Sequence, residues 1–272
     1  MNMGDIDVNI DAGMIGKYRI IKRLGEGATS EVFLCRDEFF DRTVALKRVR
    51  SSMLSDAMDG PIFARFFAAE AALVGRLQHP NVVQIYDAVG DSASPYVVME
   101  YVPGTTLRAF CRPDQLMPLE LVVEVGFKCA MALGYVYSKG LIHRDVKPAN
   151  IMAITNAAGV VTDVKITDFG SVLNMAAEHT QVHQVGSLAY MAPEQIEGQV
   201  LDCRADIYAL GAVLFEALAG TRPYRAESVE SLMAKILYGP QPDLLEQALD
   251  LLALLRPARD AVDLDALGHD VA

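Results

Sequence analysis

His143-Arg144-Asp145-Val146-Lys147-Pro148-Ala149-Asn150 and, after the strand-like run Val164-Lys165-Ile166, Asp168-Phe169-Gly170 decide how this chain folds. The first stretch follows a long helical segment and Gly140, and sets a base, a cation and an amide ligand within one tight loop. In the second, a carboxylate ends a strand and is followed by glycine, a placement suited to a hard, oxygen-seeking ion such as Mg²⁺. Each fragment alone is short enough to arise by chance, so order and spacing along the rest of the chain carry the weight.

Working outward toward the N-terminus, strand signals dominate from Lys17 to Met99. The runs YRII, EVFLC, TVALKRV, VVQIYDAV and YVVME are short and rich in β-branched or aromatic residues. One helical segment interrupts them, from about Pro61 to Leu77. Val102-Pro103-Gly104-Thr105-Thr106 is a breaker suited to a hinge. From Leu119 onward the long segments read as helices, among them LVVEVGFKCAMALGYVYSKG and ADIYALGAVLFEALAG. The expectation is an α+β protein with a lead-in or tail over residues 1–16. A strand-rich small lobe (17–101) with one helix then joins a larger, mainly helical lobe (102–272).

Composition narrows the partners. The 272 residues hold 24 basic against 35 acidic side chains, a net charge of −11, which argues against a nucleic-acid or anionic-membrane surface as main partner. Four cysteines (Cys35, Cys111, Cys129, Cys203) show no CxxC pair or metal-ligand spacing, and free thiols in a reducing compartment are expected. The most apolar stretch, Ile207 to Phe215, stops at Glu216, short of the roughly 20 residues a spanning helix needs. The acidic N-terminus is unlike a signal peptide. A soluble cytoplasmic protein without membrane insertion is expected, with no room left for a sensor domain or membrane anchor.

Three further features bear on chemistry. Leu24-Gly25-Glu26-Gly27-Ala28-Thr29-Ser30-Glu31-Val32 lies between two strand-like runs. Glycines without Cβ let backbone amides approach an anion, so this loop can cover a polyphosphate, though an ordinary hairpin turn reads the same way. A dinucleotide-binding loop is disfavoured, because a strand rather than a helix follows. In Val44-Ala45-Leu46-Lys47 the alternation puts Ala45, Lys47 and Val49 on one face, a small residue beside a cation, unless Lys47 merely reaches water from an edge. Phe63, Phe66, Phe67, Glu70, Val74 and Leu77 share one helical stripe, which sets Glu70 within an apolar face. An unpaired carboxylate there is costly, so Glu70 either pairs with Lys47 or snorkels to solvent at the margin.

Gly-rich loop, VALK, helix Glu, HRDVKPAN, DFG and Ala192-Pro193-Glu194 occur in the order found in protein kinases, and from about Lys17 to Tyr224 the chain resembles a bacterial eukaryotic-like Ser/Thr protein kinase. The resemblance implies a two-lobed kinase fold with an ATP cleft between the lobes and an activation segment over 168–194. It implies Mg²⁺ (or Mn²⁺) and ATP as cofactors, with Ser/Thr acceptors on proteins as substrates. By the same resemblance Lys47 holds the α/β-phosphates and is held by Glu70, Asp145 is the base for the substrate hydroxyl, and Lys147 offsets γ-phosphate charge. Asn150 and Asp168 are the implied metal ligands. Leu24, Val32, Ala45 and Met152 are implied to sandwich the adenine under Gly25 and Gly27, with Met99 behind it and the backbone of Glu100 and Val102 hydrogen-bonding it.

The resemblance also implies a packed stack of Ile85, Val74, His143 and Phe169, and assigns Asp206 to holding the catalytic-loop backbone. Lys147 two residues after Asp145, with Gly186-Ser187-Leu188-Ala189-Tyr190 before the APE, resembles the Ser/Thr rather than the Tyr class. Arg144 implies an anion on the activation segment, with Thr180 the leading phosphosite and Ser171 and Ser187 behind it. Departures are visible too. Ser30 replaces the third loop glycine, and Asn150 and Asp168 stand further apart than usual, with Asn156-Ala157-Ala158-Gly159 as an expected hairpin turn. The pattern fades after Gly239, where Arg259 or Arg256 is the candidate partner of Glu194. A separate regulatory partner or self-association is compatible with so compact a chain. The alternative function is a pseudokinase-type nucleotide-binding scaffold, which the presence of Lys47, Asp145, Asn150 and Asp168 disfavours.

Overall fold

The computed structural model describes residues 13–27, 30–50, 60–90, 95–171, 173–174 and 188–244. Its upper lobe is a six-stranded antiparallel sheet with one helix against it. In chain order the strands are β1 (Met14–Ile15), β2 (Tyr18–Glu26), β3 (Ser30–Asp37), β4 (Arg42–Val49), β5 (Ile85–Val89) and β6 (Tyr96–Glu100). Their order in the sheet is β1-β2-β3-β4-β6-β5, and helix α1 (Gly60–Ala71) falls between β4 and β5 in the chain. Part of the stretch read as a lead-in thus joins the sheet, since Met14 and Ile15 pair with Arg19 and Tyr18. Gly16 makes that turn with φ +56, and a Cβ there would meet the Tyr96 hydroxyl at 2.3 Å, so both conformation and space call for glycine.

The sheet has two faces with separate cores. Phe33, Cys35, Val44, Leu46 and Val98 pack with Tyr18 and Tyr96 on one side. Ala45, Val97 and Met99 turn to the other side and join the core that runs into the lower lobe. Period-two alternation therefore places Ala45 and Lys47 on the face toward the second lobe, as the sequence pattern requires.

The lower lobe is built on α2 (Leu119–Ser138) and α4 (Cys203–Ala219), with the short α3 (Pro193–Ile196) and α5 (Val229–Tyr238) beside them. Val122, Val125, Cys129, Leu133 and Val136 form the buried side of α2. Gly126 lets α4 approach, because a Cβ there would lie 3.0 Å from the Leu214 side chain. Helix α4 starts on Asp202, whose carboxylate accepts from Arg204 N–H, and ends on Gly220 at φ 68, a left-handed C-cap.

Between the helices, β9 (Ile151–Thr155) pairs with β10 (Val161–Ile166) and with β7 (Thr105–Thr106), while β8 (Leu141–Ile142) pairs with β11 (Leu173–Asn174). The long spacing between Asn150 and Asp168 is the extended β9–β10 hairpin expected from its turn residues. Asn156 Oδ1 accepts from the N–H groups of Ala158 and Val160, and Gly159 takes φ 78. Together these elements make the two-lobed α+β fold that the sequence implied.

One element departs from the expected pattern. Helix α1 stops at Ala71, and the next turns close through Leu73 N–H to Glu70 O (3.1 Å) and Val74 N–H to Ala71 O (3.2 Å). These three-residue turns eclipse side chains at i and i+3, so Leu73 rather than Val74 falls under Glu70. Leu73 is 1% exposed in the main core and Val74 is 37% exposed. The expectation that Val74 stacks with Ile85, His143 and Phe169 is corrected accordingly. The other three are buried, and Leu73 shares their core with Ile85 and Phe169.

Candidate active site

A cavity of about 520 Å³ lies under the β2–β3 turn, between the lobes. Its roof is made by Leu24, Gly25, Gly27 and Val32, and its rear wall by Ala45 and Met99. Glu100 and Val102 edge it at the hinge, Met152 forms the floor, and Lys47, Asn150 and Asp168 stand at its polar end. The turn itself is closed by Gly27 N–H to Ser30 O at 2.8 Å. A Cβ on Gly25 would meet nothing within 4 Å, so packing does not demand glycine there. What glycine leaves is open space over the cavity, which an approaching ligand can use.

Among the lining residues that the sequence does not assign to the site are Val83, Thr106 and Thr167. Thr106 pairs with Met152 across β7 and β9 and so fixes the floor. Its position at the end of the Pro-Gly hinge stretch is the signal that could have found it. Thr167 immediately precedes Asp168, and its N–H donates to Asn150 O at 2.9 Å, tying the two polar loops together.

At the hinge, the Glu100 side chain turns to Lys165 at 3.0 Å, and its N–H donates to Gln84 O at 2.8 Å. Any bond from Glu100 backbone to a ligand in the cleft therefore falls to its carbonyl oxygen.

Three distant segments meet at Lys47. Its Nζ lies 3.1 Å from Glu70 Oε2 and 2.6 Å from Asp168 Oδ1. Glu70 is buried, so of the two readings of this carboxylate the structure shows the paired one. Burial pushes the Glu70 carboxyl upward against the pull of the Lys47 charge. Burial alone would lower the Lys47 ammonium, but Asp168 and Glu70 overcome it and hold that group well above its ordinary range. The Lys47 charge holds the Asp168 carboxyl below the usual carboxylate value, although burial works against it.

Asp168 is also one of three non-glycine residues with positive φ among the described residues, at 64°; the others are Arg144 (65°) and Asp41 (50°). Such conformations cost about 1–3 kcal/mol each and persist where surroundings fix them. For Arg144 the fixing groups are visible. Asp206, buried at the start of α4, accepts from His143 N–H through Oδ2 and from Arg144 N–H through Oδ1, both at 2.8 Å. His143 Nδ1 accepts from Asp145 N–H at 3.3 Å and Nε2 faces Thr167 O at 3.1 Å, which selects the Nε2–H tautomer. The His143 ring meets Phe169 edge-on at 4.8 Å, so this histidine packs and braces.

The loop so held brings its own side chains together. Lys147 Nζ lies 2.7 Å from Asp145 Oδ2. Asn150 Nδ2 donates to Asp145 O at 2.9 Å and to Asp145 Oδ2 at 3.0 Å. With Nδ2 so engaged, Asn150 Oδ1 and the Asp168 carboxylate are the hard oxygen donors beside the cavity, a set that fits Mg²⁺. No group of three or more His, Cys, Asp or Glu able to hold a metal exists among the described residues.

Ser171 ends a short 3-10 turn over Phe169–Ser171. Thr180 and Ser187 lie outside the described residues, as do Arg256 and Arg259, the candidate partners of Glu194. No helix among the described residues is long and apolar enough to cross a membrane.

Residues 18–250 match the family model described as protein kinase domain. The chain is 40% identical over 225 residues to the serine/threonine-protein kinase PknB of Mycobacterium leprae, covering 79% of this chain and 34% of that protein. It is 35% identical over 224 residues to a probable serine/threonine-protein kinase of Clostridium acetobutylicum, covering 80% of this chain and 32% of that protein. To a probable PknB of Lactococcus lactis it is 32% identical over 271 residues, 94% of this chain and 42% of that protein. The chain thus spans about a third of the length of the first two relatives. With the ordered motifs, the two-lobed fold and the cleft between the lobes, the match places this chain in the protein kinase family.

Proposed function

We propose that this chain is a Mg²⁺/ATP-dependent serine/threonine protein kinase domain that transfers the ATP γ-phosphate to protein Ser or Thr hydroxyls. The observation that carries this reading is the convergence of Lys47, Asn150 and Asp168, from three distant chain segments, on one end of a cavity of nucleotide size, with Asp145 hydrogen-bonded to Asn150 behind it. A bound Mg²⁺ supplies charge neutralisation of the phosphates, and Asn150 and Asp168 are the residues that hold it.

Lys47, kept cationic by its two carboxylates, binds the α/β-phosphates and is positioned by Glu70. Asp145 accepts the proton of the acceptor hydroxyl as that oxygen bonds to the γ-phosphorus and the bond to the β-phosphate oxygen breaks, releasing ADP. Lys147 sits against Asp145 and spreads positive charge to the transferring group. Leu24, Val32, Ala45 and Met152 enclose the base, with Met99 behind it. Phosphorylation of the activation segment at Thr180, Ser171 or Ser187 is the regulatory reading, with Arg144 as the receiving cation; mass spectrometry after ATP incubation tests it. An active sample with all three peptides unmodified rejects it.

The deciding assay is transfer of label from ATP to a basic, Ser/Thr-rich protein, with wild type beside Asp145→Asn. Label in wild type alone is expected. Equal label in both removes Asp145 from the mechanism, and ATP binding without transfer in wild type favours the scaffold reading.

A further inference from the structure

The peptide group joining Arg144 to Asp145 carries the proposed base, and it is gripped from both sides. Its N–H donates to His143 Nδ1 at 3.3 Å, within the same loop. Its carbonyl, Arg144 O, accepts from Gln195 Nε2 at 3.0 Å, a contact across 51 residues of sequence. Gln195 lies in α3, immediately after Ala192-Pro193-Glu194, where the activation segment ends.

From this geometry we infer that Gln195 is a positioning residue for phosphoryl transfer, coupling the end of the activation segment to the orientation of Asp145. The inference deepens the kinase reading and rests on it. Arg144 is held at φ 65, a conformation that non-glycine residues keep only under constraint. Asp206 fixes the N–H on its near side at 2.8 Å, but the following peptide is then held within the loop only by the longer 3.3 Å bond from Asp145 N–H to His143 Nδ1. The Gln195 amide adds the second, shorter hold on that peptide, and a hydrogen bond at each end sets the plane in which the Asp145 Cα lies.

The support behind Gln195 is firm. Ile196 N–H donates to Ala192 O at 3.1 Å, and Gln195 N–H to the same carbonyl at 3.0 Å, closing α3 on itself. Ile196 packs with Leu188, Met191 and Ile236 in a core of its own. Just upstream, the Tyr190 hydroxyl donates to Glu216 Oε2 of α4 at 2.6 Å. Residues 188–196 are thus seated on α4 and α5, and Gln195 is where that seat touches the catalytic loop. A change in how the segment sits reaches Asp145 through one hydrogen bond.

Two substitutions test the coupling in the full chain. Gln195→Met keeps length and volume but donates nothing. Gln195→Glu donates only when protonated, and as a carboxylate it repels Arg144 O. With saturating protein acceptor, Gln195→Met is expected to lower kcat on the order of tenfold at every pH, with the KM for ATP within about twofold of wild type. Gln195→Glu is expected to lose at least as much at pH 8, and to recover toward wild type measured at the same pH only as the pH falls to about 5, toward the ordinary glutamate value of about 4.3. A merely structural role would not produce that recovery.

Hydrogen exchange of the peptide covering residues 143–147 provides a readout independent of turnover. Faster exchange than wild type is expected for Gln195→Met, with the α2 amides unchanged as the folding control. Wild-type kcat in both variants, a pH-independent loss in Gln195→Glu, or a rise in KM for ATP alone overturns the inference. Unchanged exchange at 143–147 overturns it as well. Should wild type transfer no phosphate, the kinase reading fails while the exchange measurement still decides the clamp.

Discussion

Two groups of charge share the cleft and are assembled on opposite principles. Lys47, Glu70 and Asp168 come from a strand, a helix and a loop, with Glu70 and Asp168 lying 23 and 121 residues from Lys47, and are joined only through side-chain ions. Asp145, Lys147 and Asn150 lie within six consecutive residues, and backbone hydrogen bonds to Asp206 and the His143 ring hold their loop in shape. The first group is an electrostatic balance that shifts when the lobes or α1 shift. The second is a scaffolded constellation that holds Arg144 in a strained conformation. A site built this way can lose its nucleotide grip without losing its base, and the two halves can be broken separately.

The largest break is at the proposed base. Asp145→Asn keeps the side-chain volume and can still bond Lys147 and Asn150, but it cannot take up the acceptor's proton. A fall in kcat of roughly 10²–10⁴-fold is expected with nucleotide affinity near wild type, because general-base catalysis contributes in that range. Single-turnover transfer beside equilibrium binding of a fluorescent nucleotide checks both halves of the statement. A parallel loss of nucleotide binding would show that the two groups are not separable.

Next comes the scaffold. Asp206→Ala deletes the acceptor for the buried His143 N–H, at about 1–3 kcal/mol when left unmade, and for the part-buried Arg144 N–H, which water can partly satisfy. A stability loss of about 2–4 kcal/mol is expected by denaturant titration, together with a lower kcat and an unchanged Lys47 environment. Burial pushes the Asp206 carboxyl upward, against the nearby positive and N–H groups that favour its anion. Asp206→Asn, which keeps one acceptor, should fall between wild type and Ala.

How far these two groups can be read from the sequence differs for the same reason. Asp145, Lys147 and Asn150 are legible because their spacing alone puts them in one loop. Lys47 and Glu70 come together through an energetic argument, a carboxylate in an apolar stripe that needs a cation. Asp168 joining them cannot be derived from periodicity, since nothing local to a DFG triplet says which lysine it meets. Val74 shows where periodicity fails: the 3.6-residue stripe runs past Ala71 in the sequence, but the chain there tightens to three residues per turn and hands the position to Leu73. The Gln195 contact is illegible for a different reason. A single polar side chain across 51 residues leaves no pattern, and only the three-dimensional approach of α3 to the catalytic loop reveals it.

The smallest effect, and the one that best sharpens the comparison, is Glu70→Gln. The KM for ATP is expected to rise about tenfold while the acceptor KM stays constant, because a neutral amide holds Lys47 less firmly than a carboxylate. Stability should move the other way with pH. Folding raises the Glu70 carboxyl above its ordinary 4.5, so its contribution to stability is fully present below that value and lost as pH rises through the folded one. Glutamine mimics the protonated form at all pH. The variant should therefore gain on wild type as pH rises above about 4.5 and through the raised folded value. Asp168 runs in the opposite sense: its lowered carboxyl contributes above the ordinary 3.8 and fails only as pH falls through its folded value, outside that window. Thermal melts of both proteins across about pH 4.5–7.5 separate the two. A gap between wild type and Glu70→Gln that does not move in the variant's favour as pH rises would mean that the Lys47 attraction outweighs burial of the carboxylate. The nucleotide-binding charges would then stabilise the fold as well as the ligand, and the contrast with the scaffolded loop would narrow to one of geometry.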